Sequence, residues 1–371
     1  MYSNKKVAFI DFSYQKGGTQ RTLLNHILNF ESVSGYIFAR ERSIFKEFKA
    51  ELKEHGYTVF LASNNVPFER MKRLWKLKIP DFRQIYLNLS LLSFVQKRLT
   101  SETKVIVGSA LFSNIYAYVI AKLNRKKFIA HLNDYDLISK KSFNVLKNAD
   151  LIITISKFLK EEVVRMGIED EKIKVIYPSI KRVPKMVKYE NSKTPTIGFI
   201  GRITYEKGAH IFLDILKIKK NIKGVIAGEF SDSSSEYSKT LLQKMQELER
   251  EGRLLYIGYQ KNIENVLSKI NILIYPSLAK EGFGRTILES LYAGIPVIGS
   301  NMGAIPEVLN GIPYTISTQP NVKDFNEAVD NLLSQEIKPE TIRKIALKKF
   351  PPGKSSKEYE NLLLECLNSS T

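Results

Sequence analysis

Short apolar runs alternate with longer amphipathic segments along most of the chain. Residues 7–13 form the first apolar run, and residues 19–30 follow with Leu23, Leu24, Ile27 and Leu28 at helical spacing. An amphipathic helix is predicted over residues 43–55, and further strands are predicted over residues 35–39, 57–62, 105–108, 128–132 and 151–155. Apolar strands joined by helices are typical of a parallel sheet that is covered on both faces.

The pattern is interrupted at residues 177–195 and then resumes. This stretch contains Pro178, Pro184 and Pro195, many lysines and no clear period, which favours a linker. Beyond it, the predicted strands are residues 196–200, 224–227, 254–257, 272–275 and 296–299, and the predicted helices are residues 207–219, 236–251, 262–270 and 285–293.

The sequence therefore predicts an α/β protein with two doubly wound, parallel-sheet, Rossmann-like domains that face each other across a cleft. The boundaries are an N-terminal domain over residues 1–177, a linker over 178–195 and a C-terminal domain over 196–349. A last helix, at about residues 350–371, is expected to pack back on the first domain. Ligands of such sheets bind outside the carboxyl ends of the strands, so the cleft is the expected site.

Composition narrows the possible functions. The 371 residues suffice for two cores, and the single cysteine, Cys366, with four scattered histidines predicts no disulfide and no zinc site. No apolar run has the length of a signal peptide core or a membrane span, so we expect a cytoplasmic protein. The formal net charge of +19 makes nucleic acid, an anionic membrane surface and phosphorylated substrates candidate partners.

The segment from Glu281 to Glu289 carries the most informative motif. Gly282, Phe283 and Gly284 lead into a predicted helix at Arg285 and Thr286. Glycines let backbone amides approach a ligand, and a helix N-terminus favours a diphosphate. Glu289 suits ribose hydroxyls and Glu281 suits a sugar beyond the phosphates, although a solvated loop with a capping glutamate would have a similar sequence.

Other strand ends carry candidate binding residues. Arg202 and Lys207 follow the predicted strand 196–200 and could neutralise charge on a departing diphosphate. Gly17 and Gly18 open the first helix, as a phosphate-facing loop or simply a tight strand–helix turn. His131 ends the strand 128–132, where it is either a hydrogen-bonded structural residue or a catalytic one. Tyr259 marks the expected base pocket.

Together these motifs resemble the retaining glycosyltransferases of family four, which share the GT-B fold. Glu281 and Glu289 match that family's Glu-x7-Glu donor motif, and Arg202 and Lys207 match its phosphate-binding basic pair. The resemblance extends to the glycine loop at Gly17 and Gly18 and to an active-site histidine at His131. Departing from the family, the chain has Tyr177-Pro178-Ser179-Ile180 where an Asn-Gly interdomain element is common, which leaves the hinge geometry open.

The resemblance implies a retaining transferase that needs no metal or other cofactor. The expected donor is a nucleotide-diphosphate sugar, UDP- or GDP-linked, and the expected acceptor is a glycan or lipid-linked glycan in cell-surface polysaccharide or glycolipid assembly. The catalytic residues would be His131, Arg202, Lys207 and Glu281. A sugar-nucleotide epimerase on the same fold stays an alternative. A second alternative is a basic protein that binds nucleic acid or another anion and has no transfer activity. The sequence contains no nucleic-acid-binding motif, however, and we do not expect nucleic acid as a partner.

One basic and aromatic segment suggests a membrane partner. Residues 68–80 interleave five basic side chains between Arg70 and Lys78 with apolar ones, including Trp75, the one tryptophan. Such a segment can bind an anionic membrane surface, or it can be an acceptor-side loop or an ordinary amphipathic helix. We therefore expect a cytoplasmic protein that is peripheral on the inner membrane face.

Overall fold

The computed structural model describes residues 6–13, 18–63, 82–135, 138, 140–180, 182–187 and 194–369. The chain divides into two compact units. Unit 1 comprises Met1–Ile155, Leu159–Lys181 and Gly353–Thr371, and unit 2 comprises Ser156–Phe158 and Arg182–Pro352.

Within the described residues, unit 1 is built on a seven-stranded sheet in which every neighbouring pair is parallel. Its order is β3-β2-β1-β4-β5-β6-β7. The strands are β1 (Lys6–Asp11), β2 (Gly35–Arg40), β3 (Tyr57–Ala62), β4 (Thr103–Gly108), β5 (Lys127–Leu132), β6 (Leu151–Thr154) and β7 (Ile173–Val175). The helices up to residue 165 are α1 (Gly18–Ile27), α2 (Ile44–Glu47), α3 (Lys49–Glu54), α4 (Phe82–Gln96), α5 (Leu111–Leu123), α6 (Lys140–Lys147) and α7 (Lys157–Arg165).

Both faces of this sheet are covered, as its apolar strands predict. Along β1, Val7 and Phe9 belong to one core, and Ala8 and Ile10 belong to the other, because successive side chains point to opposite faces. The last helix, α15 (Lys354–Asn368), packs in the first of these cores. Its Glu360 is fully buried and accepts hydrogen bonds from three backbone amides, those of residues 31–33.

Unit 2 repeats the plan with a six-stranded parallel sheet of order β10-β9-β8-β11-β12-β13 among the described residues. The strands are β8 (Thr196–Ile200), β9 (Lys223–Ala227), β10 (Leu254–Tyr256), β11 (Ile272–Tyr275), β12 (Val297–Ser300) and β13 (Thr315–Thr318). The helices are α8 (Ala209–Ile218), α9 (Glu236–Arg250), α10 (Glu264–Leu267), α11 (Arg285–Tyr292), α12 (Ile305–Leu309), α13 (Val322–Leu333) and α14 (Pro339–Lys349).

The expectation of two parallel α/β sheets is confirmed, while some element boundaries differ. The single helix predicted over residues 43–55 is two helices, because Phe48 leaves the helical conformation (φ −100°, ψ 15°) and packs against the core. The helix predicted over residues 262–270 is confined to α10. Strands β7 and β13 were not predicted, since both are short and lie at sheet edges. No helix of the described segments is long and apolar enough to cross a membrane.

Candidate functional site

Strand order places two loops of unit 2 side by side. The order reverses between β8 and β11, because the strands that follow each of them lie on opposite sides. Ligands of doubly wound sheets bind in the crevice at the carboxyl ends of the strands at this point. The loop after β8, residues 201–208, and the loop after β11, residues 276–284, are therefore the expected binding loops.

The backbones of these two loops are in direct contact. Gly208 has φ +72°, and a Cβ atom there would lie 2.0 Å from the carbonyl oxygen of Pro276, so only glycine fits. The amide of Leu278 donates to the carbonyl oxygen of Glu206 at 2.7 Å. The two loops thus form one rigid edge.

Lys207 and Glu281 meet across this edge, although 74 residues separate them in the sequence. Lys207 Nζ lies 2.5 Å from Glu281 Oε1, and the Ser277 hydroxyl donates to the same oxygen at 2.6 Å. The side chains of the ion pair are 22% and 12% exposed, so both are mostly shielded and yet reachable. A cation and a carboxylate are fixed next to each other, where a phosphate and a sugar hydroxyl could bind together.

An isolated parallel β-bridge to Gly303 fixes the backbone of Glu281. A Cβ on Gly303, where φ is +64°, would lie 2.4 Å from the Glu281 carbonyl oxygen. That oxygen accepts a hydrogen bond from the Ala304 amide at 2.9 Å. The loop after β12 therefore holds the loop after β11 in place through contacts with the Glu281 backbone.

The predicted helix of the Glu-x7-Glu motif is α11, which begins after Gly284 in the left-handed conformation (φ 89°). The first amides of a helix have no intrahelical acceptor, so the Arg285 and Thr286 end of α11 attracts anions. Glu289 lies one turn on, with its Oε1 3.4 Å from the Arg285 guanidinium. Both of these side chains are about one-sixth exposed, so they can still reach a ligand.

Two residues that were predicted to bind the donor, Gly282 and Phe283, are buried and do not present a side chain to a ligand. Phe283 is buried and packs edge-on against Phe350, with ring centroids 5.6 Å apart, so its ring belongs to the core. Gly282 is buried beside it. A donor could meet these residues only through their backbone.

The remaining predicted residues of unit 2 lie at the surface of the same sheet edge. Arg202 is exposed, and Tyr259, with 54% of its surface exposed, follows Gly258, whose carbonyl accepts from Gly228. The pKa of Glu206 lies below its usual range, chiefly because of its own backbone amide, with the Thr204 side chain and the charges of Arg202 and Lys207 adding to it. The loop after β8 therefore holds the Glu206 carboxylate mainly by hydrogen bonds, with Arg202 and Lys207 close enough to contribute.

Sequence reasoning did not assign a role to Ser277, which holds Glu281, or to Tyr237, whose hydroxyl donates to the carbonyl oxygen of Thr204. Ser277 could have been noticed, because it lies two residues after the end of β11. Tyr237 lies on α9, far along the chain, so no local signal links it to the loop.

Of the residues predicted to bind the donor or a membrane in unit 1, only Gly18 is described by the structure. Gly18 begins α1, exposed and with open space where a side chain would be, so the fold does not require glycine there. Gly17 and the segment from Arg70 to Lys78 lie outside the described residues.

His131 lies in the core of unit 1 and not at its surface. It is fully buried in β5, and Tyr359 of α15 shares a hydrogen bond of 3.3 Å with its Nδ1. Its ring also faces His26 of α1, with centroids 6.4 Å apart. Burial lowers the pKa of His131 to about 3. Nδ1 is thus held by Tyr359, while Nε2 has no partner among the described residues, and the catalytic role of His131 stays a prediction beside the structural alternative.

Buried His131 predicts an acid-sensitive fold. Its pKa is depressed from 6.5 in the unfolded chain to about 3, so the unfolded state binds the proton first and stability falls as pH drops through this window. We expect the free energy of unfolding to lose roughly 1.4 kcal/mol per pH unit from this group. In urea unfolding between pH 6.5 and 4.5, His131→Leu should flatten the dependence of the unfolding free energy on pH; the same slope in the variant and the wild type would refute the assignment.

In the part of the chain that is described, no three His, Cys, Asp or Glu side chains cluster so that they could hold a metal ion. The candidate site contains three cationic side chains, those of Arg202, Lys207 and Arg285.

Comparison with known proteins agrees with the fold. Residues 184–349 match the family model "Glycosyl transferases group 1", and residues 44–182 match "Glycosyltransferase Family 4". A structure of Anabaena Alr3699/HepE in complex with UDP and glucose superposes with a TM-score of 0.77 at 19% identity, over 98% of this chain and all of that one. The GT-B fold is thereby confirmed.

The chain is also similar in sequence to two further proteins. The chain is 24% identical to a lipopolysaccharide 1,6-galactosyltransferase of Salmonella typhimurium over 353 residues, 90% of this chain and 91% of that protein. It is 32% identical to an uncharacterized 42.6 kDa protein in the cps region of Klebsiella pneumoniae over 169 residues, but that match spans 45% of this chain and only 42% of that protein. Since the two family models together extend from residue 44 to residue 349, the chain belongs to family four of the glycosyltransferases.

Proposed function

We propose that the protein transfers a sugar from a nucleotide-diphosphate donor to a glycan or lipid-linked acceptor, with retention of configuration and without a divalent metal. The observation that carries the proposal is the contact of Lys207 with Glu281 at the carboxyl edge of unit 2, beside the N-terminus of α11. A cation for the diphosphate and a carboxylate for the sugar are adjacent there. The named relatives support the assignment, since one acts on lipopolysaccharide and another was solved with UDP and glucose.

The positive groups of unit 2 would supply the charge that the reaction needs. As the bond between sugar and phosphate breaks, negative charge grows on the departing diphosphate. Arg202, Lys207 and the free amides at the start of α11 would stabilise it, so we propose that no bound metal is needed. Glu281 would hold hydroxyls of the transferred sugar and Glu289 those of the ribose.

Retention would follow a front-face route in this proposal. The leaving phosphate oxygen would accept the proton of the attacking hydroxyl on the face from which it departs. The carboxylate of Glu281 is already bonded to Lys207 and Ser277 through Oε1, which suits a binding role better than that of a covalent nucleophile. Double displacement by a carboxylate is the competing route.

A panel assay tests the proposal. Purified protein is mixed with UDP-, GDP- and ADP-sugars, with octyl glycosides as acceptors and with EDTA present, and both released nucleotide and glycosylated product are measured. We expect one donor class to be consumed, with the product in the donor's anomeric configuration. Loss of all activity in EDTA, with rescue by a divalent cation, would contradict metal independence; an epimerised sugar without product would favour an epimerase.

We also propose that the protein binds an anionic membrane surface through the segment from Arg70 to Lys78, and the variants that test this are chosen from the sequence. Reversing Arg70, Lys72, Arg73 and Lys76 to glutamate should weaken binding to anionic vesicles, because each basic residue near such a surface contributes about 1 kcal/mol. Vesicle co-sedimentation at low salt measures it. The matched control reverses four exposed lysines of unit 2, Lys220, Lys239, Lys323 and Lys344, and so has the same net charge. If both variants lose binding equally, overall charge rather than this segment is responsible.

A further inference from the structure

A buried polar cluster lies at the carboxyl edge of the unit 1 sheet. The strand order of this sheet reverses between β1 and β4, as it does between β8 and β11 in unit 2. Asp11 ends β1 and is fully buried. Its Oδ2 accepts from the hydroxyl of Ser109, just after β4, at 2.7 Å, and its Oδ1 accepts from Gln20 and from the amide of Ser13. Asp11 thus ties together the ends of two central strands and the start of α1.

Asn133 extends this cluster to a third strand of the sheet, β5. It follows β5 and is 6% exposed, and its Nδ2 donates to the Ser109 carbonyl oxygen at 3.1 Å. A carbonyl oxygen can only accept, so the amide nitrogen must face Ser109 and the side-chain oxygen must face away. Among the described residues Asn133 Oδ1 is buried and has no hydrogen-bond donor.

An unsatisfied buried oxygen is costly, and proteins keep very few of them. Since none of the residues that the structure describes supplies this donor, we consider a ligand or water as its source. His131, two residues earlier in β5, also has a nitrogen without a partner among the described residues, Nε2. That ring, however, lies in the core with Tyr359, whereas Asn133 lies past the end of the strand.

The charge of the cluster indicates the kind of ligand. Its members are a carboxylate, two amides and hydroxyls, and the nearby Arg40 uses its Nε to bind the Phe12 carbonyl oxygen. A carboxylate repels phosphate, while an amide oxygen accepts readily from a neutral hydroxyl. This edge is therefore suited to a sugar hydroxyl and unsuited to the diphosphate of a donor.

We propose that Asn133 Oδ1 accepts a hydrogen bond from a hydroxyl of the acceptor sugar, and that Asp11 and Ser109 are positioning residues that hold the Asn133 amide. This inference rests on the proposed transferase function. It assigns an acceptor contact to Asn133, a residue for which the sequence motifs suggest no role.

The test uses the competition between a sugar acceptor and water. With the donor that the wild type consumes in the panel assay and an octyl glycoside acceptor, the ratio of transfer to hydrolysis is measured for the full-length wild type, Asn133→Leu and Asn133→Ala. Both variants should lower the ratio about tenfold or more, because one hydrogen bond to the acceptor is lost. Hydrolysis in the same sample reports an intact donor site, so a folding defect lowers both rates and leaves the ratio unchanged.

Asn25→Leu is the matched control. Asn25 is similarly buried, and its Nδ2 likewise donates to a backbone carbonyl, that of Ser179, at 2.9 Å. It should keep the wild-type ratio. An unchanged ratio in both Asn133 variants would mean that water fills the site and would overturn the inference, as would an equal change in the control.

Two results with the wild type alone are also decisive. If it consumes a donor but glycosylates no octyl glycoside, a neutral sugar hydroxyl is the wrong ligand class and the inference fails by itself. If it consumes no donor at all, the proposed function fails, and this inference fails with it.

Discussion

Replacing Lys207 with alanine is expected to lower kcat by about 10²-fold or more with a saturating donor. Lys207 is the cation nearest to Glu281, and its partly shielded position strengthens its attraction for a departing diphosphate. The interaction grows as charge develops, so its loss should appear in kcat rather than in KM alone.

The control for this variant removes a different lysine–glutamate ion pair. Lys217 lies 3.0 Å from Glu247 on the surface of the same unit, and both side chains are about half exposed. Lys217→Ala should keep wild-type kcat and change stability by less than about 1 kcal/mol. Steady-state kinetics and thermal unfolding of the wild type, Lys207→Ala and Lys217→Ala separate an effect on turnover from an effect on stability. Full activity in Lys207→Ala would show that the diphosphate is bound elsewhere.

Glu281→Gln is expected to lower kcat by about 10²-fold, whereas Glu289→Gln should mainly raise the KM for the donor. The amide keeps the shape of the side chain and can still accept from Ser277, but it loses the charge that pairs with Lys207 and holds the transferred sugar. Glu289 lies within α11 and contacts Arg285, and the proposal places the ribose beside it.

The pair should also behave as a unit. If Lys207 and Glu281 act together, the double variant Lys207→Ala, Glu281→Gln should lose much less than the product of the two single losses. Independent, multiplicative losses would mean that the contact seen here has no part in turnover. Equal kcat values for Glu281→Gln and Glu289→Gln would remove Glu281 from the sugar position.

The central strands and their loops could be predicted from the sequence, because a strand buried on both faces leaves a continuous apolar run. Thr196–Ile200 was predicted with its observed bounds, and the binding motifs fall at strand ends as expected. The edge strand Thr315–Thr318 escaped prediction, since its residues are mostly half-exposed and carry no such run. The division of residues 43–55 at Phe48 depends on packing, which periodicity does not report.

The site could be predicted as a set of residues but not as a set of contacts. The sequence motifs named Lys207 and Glu281, yet their ion pair depends on the order of β8 and β11 in the sheet. For His131 the motif suggested a catalytic role, but no motif indicated that its ring is buried and shares a hydrogen bond with Tyr359 of α15. Asn133 carries no motif, and only the geometry of its amide singles it out.

Binding of the donor at the carboxyl edge of unit 2 is tested most directly by a crystal structure with a nucleoside diphosphate. The nucleotide would be the one, among UDP, GDP and ADP, that raises the melting temperature of the protein most. We predict that the diphosphate lies at the first amides of α11 within hydrogen-bond distance of Arg202 and Lys207, with Glu289 on the ribose. A diphosphate bound elsewhere, with Lys207 and Glu281 still paired and touching no ligand, would contradict the proposed site.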